Sequence, residues 1–171
     1  MIDKEIFKKI EGRLYRYYKD MSEIDKLEYR CMVLEKAKEQ LREDIRNTNI
    51  SIETELNMGI SYEERVQSSS SGSSYAEQET IRQVEKLEQE WKNTRRQILK
   101  AHARIREIKN KNADMNYIIK LLGSKYKLIA EMKYKDELSL DQIGNRLHMD
   151  KSTVSRNRER IVMDVSKLIT L

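Results

Sequence analysis

Apolar residues recur at helical spacing from the first turns of the chain. Ile6, Phe7, Ile10, Leu14, Tyr17, Tyr18 and Met21 fall three and four apart, and the stripe resumes at Ile24, Leu27, Cys31, Leu34, Ala37, Leu41 and Ile45. Such spacing predicts helix with one packing face. Ser22 followed by Asp25 has the form of a capping box and predicts a new or re-phased helix there. Together these give an N-terminal helical region over 1–56. Tyr15, Tyr17 and Tyr18 have the rings to stack on a base, but amid balanced charge they read as packing between helices.

The pattern then lapses. Residues 57–76 contain Ser68-Ser69-Ser70-Ser71-Gly72-Ser73-Ser74, which cannot bury enough surface to order itself. This stretch reads as a flexible linker. Over 77–116 the pattern becomes heptad-like. Val84, Trp91, Ile98, Ile105 and Asn112 fall seven apart, as do Leu87, Thr94, Ala101, Ile108 and Met115. These a and d positions predict a long helix in a coiled coil or a helical hairpin. Its partner is either the 23–47 helix or a second copy of the chain. Asn112 at an a position can specify register or oligomeric state. Arg95, Arg96, Lys100 and Arg104 lie near this seam, as a solvated basic face or as phosphate contacts.

Residues 117–171 carry the densest set of signals. Ile118, Ile119, Leu121 and Leu122 begin an apolar helix that Gly123 ends or kinks, and Leu128, Ile129, Met132 and Tyr134 predict another short helix. Ser139 and Gln142 form a capping box. Leu140, Ile143 and Leu147 share a face beside Gly144, and a break follows at His148-Met149-Asp150. Asp150 suits the N-cap of the next helix, and Met149 can staple against Val154. Val154, Ile161, Val165 and Leu168 would then face inward. This is a helix-turn-helix layout. Gly144 leaves room for the second backbone, short hydroxyls let the second helix lie deep in a major groove, and Arg can bond guanine O6 and N7 together. The fold class is therefore all-α: an N-terminal helical hairpin or coiled coil, a long central helix and a C-terminal helix-turn-helix domain.

Composition agrees. Of 171 residues, 37% are charged, against about 25% in an average domain. There is no Pro, where roughly 9 are usual, so little interrupts a helix. The net charge of +5 is unevenly spread: residues 1–74 hold 13 basic and 15 acidic side chains, residues 75–171 hold 21 and 14. A basic half favours a polyanionic partner. No run of 18 apolar residues predicts a membrane span, and Met1-Ile2-Asp3-Lys4-Glu5 lacks the apolar core of a signal peptide. Cys31 is the single cysteine, expected as a small buried residue, with no disulfide or cysteine zinc site. There is no phosphate-cradling glycine loop, no His/Cys/carboxylate constellation and no paired-acid motif. Neither His102 nor His148 has neighbours suggesting a metal site. A cytoplasmic protein without cofactor, metal or catalytic activity is expected.

The stretch Leu138-Ser139-Leu140-Asp141-Gln142-Ile143-Gly144-Asn145-Arg146-Leu147, continuing through His148-Met149-Asp150-Lys151-Ser152-Thr153-Val154-Ser155-Arg156, resembles region four of bacterial sigma factors and related activators. Leu128-Ile129-Ala130-Glu131-Met132-Lys133-Tyr134 resembles the helix that precedes that motif. One departure is His148, where many such motifs carry a left-handed Gly; His tolerates that conformation better than most residues. With Tyr62-Glu63-Glu64-Arg65-Val66-Gln67-Ser68 before the Ser run, residues 60–171 resemble phage late-gene transcriptional activators of the ArpU/RinA kind. The resemblance implies sequence-specific binding of double-stranded DNA and activation of phage structural or packaging genes through host RNA polymerase, near the nucleoid of a bacterial cell. Lys151, Ser152, Thr153, Ser155 and Arg156 are expected at base edges, and Arg146, Arg158 and Arg160 at phosphates or the groove wall. A homodimer is the favoured assembly, with no membrane partner. Two other readings stand beside this one: a small-terminase-like packaging subunit, which would form a large ring, and a small sigma-like factor, which would need a promoter-melting region in the N-terminal half.

Overall fold

The structure, a computed structural model, describes residues 3–47 and 75–169. It is all-α, with no strand among the described residues. The helices are α1 (Lys4–Asn47), α2 (Tyr75–Lys111), α3 (Ala113–Leu121), α4 (Ser124–Ala130), α5 (Leu140–Leu147) and α6 (Lys151–Ile169), and a π-helical turn, Glu131–Lys135, extends α4. The linker predicted over 57–76 lies outside the described residues as far as Ser74, and α2 begins at Tyr75.

The predicted new start at Ser22 does not occur. α1 runs unbroken through it. A capping signal is worth about 1 kcal/mol, and here it competes with an apolar stripe that continues in phase on both sides, with no proline to stop the helix. The central helix does break, but at Asn112, whose φ is −103° and ψ 10°. Asn112 is buried, and its Nδ2 donates to Asp20 Oδ2 at 2.8 Å and to the Ile108 carbonyl at 3.0 Å. Asn112 thus ties the end of α2 to α1 of the same chain.

The chain forms two compact units, and each long helix supplies a segment to both. The second unit, Arg30–Lys100, pairs the later part of α1 with the earlier part of α2. The two segments run antiparallel: Arg30 donates to Gln97, while Arg42 and Ile45 share a cavity wall with Glu88 and Trp91. Cys31, Thr94 and Ile98 are buried between them. The heptad seam of α2 therefore packs on α1 of the same chain. Of the two partners the seam could take, the described residues place the α1 segment of the same chain against it.

The first unit, Met1–Tyr29 with Ala101–Leu171, holds the main core. Ile10, Leu14, Tyr17 and Tyr18 of α1 join Ile118, Ile119, Ile129, Tyr134, Ile143, Val154, Ile161, Val162 and Val165. Each fully buried Val, Leu or Ile contributes about 1.5–3 kcal/mol. The tyrosines pack on one another, as expected. Tyr15 meets Tyr134 edge-on at 4.9 Å between ring centres, and Tyr17 meets Tyr18 at 5.1 Å.

Two devices set α6 against its neighbours. The first is the turn after α5. Ser139 caps α5: its Oγ accepts from the Gln142 N–H at 3.3 Å, and its own N–H donates to Gln142 Oε1 at 2.9 Å. His148 ends α5 in the left-handed region at φ 51°, ψ 47°, and the Met149 N–H donates back to the Gly144 carbonyl at 2.9 Å. The chain folds back so tightly that a Cβ on Gly144 would lie 2.5 Å from the Met149 carbonyl oxygen. The second device is a long-range ion pair. Arg158 Nε and Nη2 donate to the two oxygens of Glu11 at 2.7 and 2.8 Å, and the guanidinium lies 5.0 Å from the centre of the Phe7 ring. Tyr134 Oη donates to the same carboxylate at 3.2 Å.

Three outcomes follow, each read by denaturant unfolding. Gly144→Ala is expected to lose about 2–3 kcal/mol, because backbone must move to admit the methyl group; a loss under about 0.5 kcal/mol would refute the close approach. His148→Gly is expected to gain about 0.5–1 kcal/mol, as relief of left-handed strain exceeds the added chain entropy; a loss of stability would contradict this. Arg158→Ala is expected to lose about 2–3 kcal/mol, between the ~1 of an exposed pair and the 3–5 of a fully buried one. The two partners' side chains are 25% and 15% exposed. The double variant with Glu11→Ala should lose little more than either alone, and simple additivity would disprove the coupling.

Candidate nucleic-acid interface

α5, the three-residue turn and α6 present the residues singled out from the sequence. α6 buries Val154, Ile161, Val162 and Val165, with no exposed surface on any of them. Val162 is an inward residue that the sequence pattern did not include. Burial of this side turns the opposite side outward. Ser152, Arg156 and Arg160 are exposed and follow one another at four-residue steps, so they form one stripe along the helix. Thr153 and Ser155 flank the stripe and are half-buried.

The stripe continues beyond the residues expected from the motif. Met163 and Lys167 lie seven and eleven residues after Arg156, and both are exposed. Extending the four-three spacing from Arg156 would have found them in the sequence.

Lys151 opens α6. It is exposed, and its Nζ donates to Asp141 Oδ2 in the first turn of α5 at 2.9 Å. Both partners are more than half exposed, so this pair is worth less than about 1 kcal/mol and yields readily to a stronger anion. Arg146 is exposed in the last turn of α5, where its charge complements the helix dipole.

Arg158 departs from the expected set. Its guanidinium is committed to Glu11 and Phe7 on the packed side of α6, two residues from Arg156 and so about 200° round the helix. The Glu11 hydrogen bonds hold its pKa above the ordinary arginine value, against the opposing effect of burial. Burial, and then the Glu11 charge, pushes the Tyr134 phenol well up, so it stays protonated as a donor to that carboxylate. The sequence carries no local sign of this arrangement, because Glu11 stands 147 residues away.

The outward surface can therefore offer short hydroxyls on the first turn of α6, two guanidinium groups a turn apart that have no carboxylate partner among the described residues, and a further amine at Lys167. That is chemistry for hydrogen bonding and charge neutralisation. Among the described residues, no three of His, Cys, Asp and Glu converge in a way that could hold a metal ion. No described helix is long and apolar enough to cross a membrane. Comparison of the chain with family models, with curated proteins and with solved structures found no match.

Proposed function

We propose that this protein is a sequence-specific regulator of transcription that binds double-stranded DNA through α5 and α6 as a helix-turn-helix. One observation carries the reading. The side of α6 left outward by the core bears Ser152, Arg156 and Arg160 in register, on a helix whose entry is set by Gly144 and His148. Small side chains on the first turn allow close approach to base edges, and an Arg one turn on can bond guanine O6 and N7 together. In this reading Lys151, Ser152, Thr153, Ser155 and Arg156 meet base edges. Arg146, Arg160 and Lys167 meet phosphates. Arg158 holds α6 in place from behind. The resemblance to phage late-gene activators supplies the setting: action with host RNA polymerase at structural or packaging genes, in the bacterial cytoplasm. No catalytic step belongs to this reading.

The test is selection of genomic DNA fragments by the full chain, at ~0.15 M salt to suppress non-specific phosphate binding. One or a few sites should be enriched, beside genes for virion structure or packaging. Arg156→Ala should relax preference at one or two base pairs by about 1–3 kcal/mol each. Arg158→Gln should leave the preferred sequence unchanged in protein that remains folded. Absence of any enriched fragment, or an unchanged preference in Arg156→Ala, would overturn the assignment.

A further inference from the structure

The second unit carries a feature that the helix-turn-helix does not use. Between Glu90 and Glu107 the sequence has six basic residues and no acidic one, in a chain whose charges are otherwise closely mixed in sign. Four of the six, Lys92, Arg95, Arg96 and Lys100, belong to the second unit. They fall at i, i+3, i+4 and i+8, so they share one face of α2. Thr94 and Ile98, on the other side of the helix, are buried. All four cations are exposed.

Their partners are few. Lys92 reaches Glu88 at 3.3 Å in a pair about half exposed on both sides. Among the described residues no carboxylate pairs with Arg95, Arg96 or Lys100. Arg95 lies 5.6 Å from the centre of the Trp91 ring, which restricts its guanidinium. Arg96 reaches only the neutral Asn93 side chain. Lys92 and Arg96, and then Arg96 and Lys100, are like charges four residues apart and repel one another. On the facing α1 segment the pattern is the ordinary one, with Arg42 paired to Glu39. Leu99, 58% exposed, lies on the same basic face.

We propose that this face of α2 is a second DNA contact, one that grips the phosphate backbone without reading sequence. From Lys92 to Lys100 the helix rises about 12 Å. That matches the rise of three to four nucleotides at ~3.4 Å each. A phosphate row relieves the repulsion along the stripe, and the sugar edge accepts the apolar Leu99. The choice of DNA as the polyanion rests on the reading of the protein as a DNA-binding regulator.

The test compares the full chain with a variant carrying Lys92→Gln, Arg95→Gln, Arg96→Gln and Lys100→Gln. Gln is nearly as good a helix former, and circular dichroism checks that helix content is kept. Binding to a duplex of arbitrary sequence is measured between about 0.05 and 0.2 M salt. Each lost phosphate contact should lower the slope of log K against log salt by about 0.9. The fourfold variant should therefore lose about 3–4 from the slope, and the double variant Arg96→Gln/Lys100→Gln about half of that. The DNA sequence preferred in selection should stay the same. An unchanged slope, with Arg156→Ala still altering selection, would overturn this contact and leave the helix-turn-helix reading standing. A lowered slope, with Arg156→Ala leaving selection untouched, would support this contact and sink that reading. An unchanged slope with lost binding to phosphatidylserine vesicles would assign the face to a lipid surface and overturn the proposal.

Discussion

Leu14, Tyr17 and Tyr18 of α1 share one core with Ile129, Tyr134, Val154 and Ile161, and the geometry of the C-terminal helices depends on that long-range contact. α3, α4 and α5 are only 9, 7 and 8 residues long. Helices so short are marginal alone, and each offers one narrow apolar face. The stripe at the start of α1 supplies the side chains that complete their core. This is why the first unit takes in residues 1–29 as well as the C-terminal residues, where the sequence pattern predicted a domain confined to 117–171. The outward set on α6 is held in place by residues from the opposite end of the chain.

The same contact divides α6 by side. Val154, Ile161, Val162 and Val165 bind it to the core, Arg158 ties it to Glu11, and Ser152, Arg156 and Arg160 remain outward. Three arginines within five residues thus have two different fates. Position on the helix decides between them: Arg158 turns toward Phe7 and Tyr134, where a half-buried carboxylate awaits it, and its neighbours turn away. Basic residues two positions apart on one helix are thus separated by the side they stand on, and only Arg158 meets a partly buried carboxylate.

Features fixed by near neighbours in the chain are legible in the sequence. The Ser139–Gln142 box, the crowding at Gly144 and the left-handed His148 all depend on residues within a few positions of one another, so the sequence displays both halves of each interaction. The heptads of α2 announced a partner helix but not whose, because an apolar seam looks the same toward α1 as toward a second copy. At Ser22 the reverse holds: its box is a complete local signal overridden by the phase of the stripe running through it. Arg158 and Asn112 were legible only as types. Their partners, Glu11 and Asp20, lie 147 and 92 residues away, and nothing in the spacing ties them together.

Charge gives these distances a common logic. Within the first unit, Glu11, Asp20, Glu23, Asp25 and Glu28 of α1 pair with Arg158, Lys111, Arg104, Lys135 and Lys109 in turn. The slightly acidic start of the chain therefore neutralises part of its basic remainder. Most of these pairs are well exposed and individually worth little; their effect lies in which cations they occupy. Asp20 shows that the pairing is more than proximity. Its burial favours the neutral acid, yet hydrogen bonds from Asn112 and Lys111, with the charges of Lys111 and Arg104, hold its pKa below the usual carboxylate value. Of the five cations engaged by α1 only Arg158 lies on α6, so Arg156, Arg160 and Lys167 stay outward there, and Lys92, Arg95, Arg96 and Lys100 form a second outward stripe on α2.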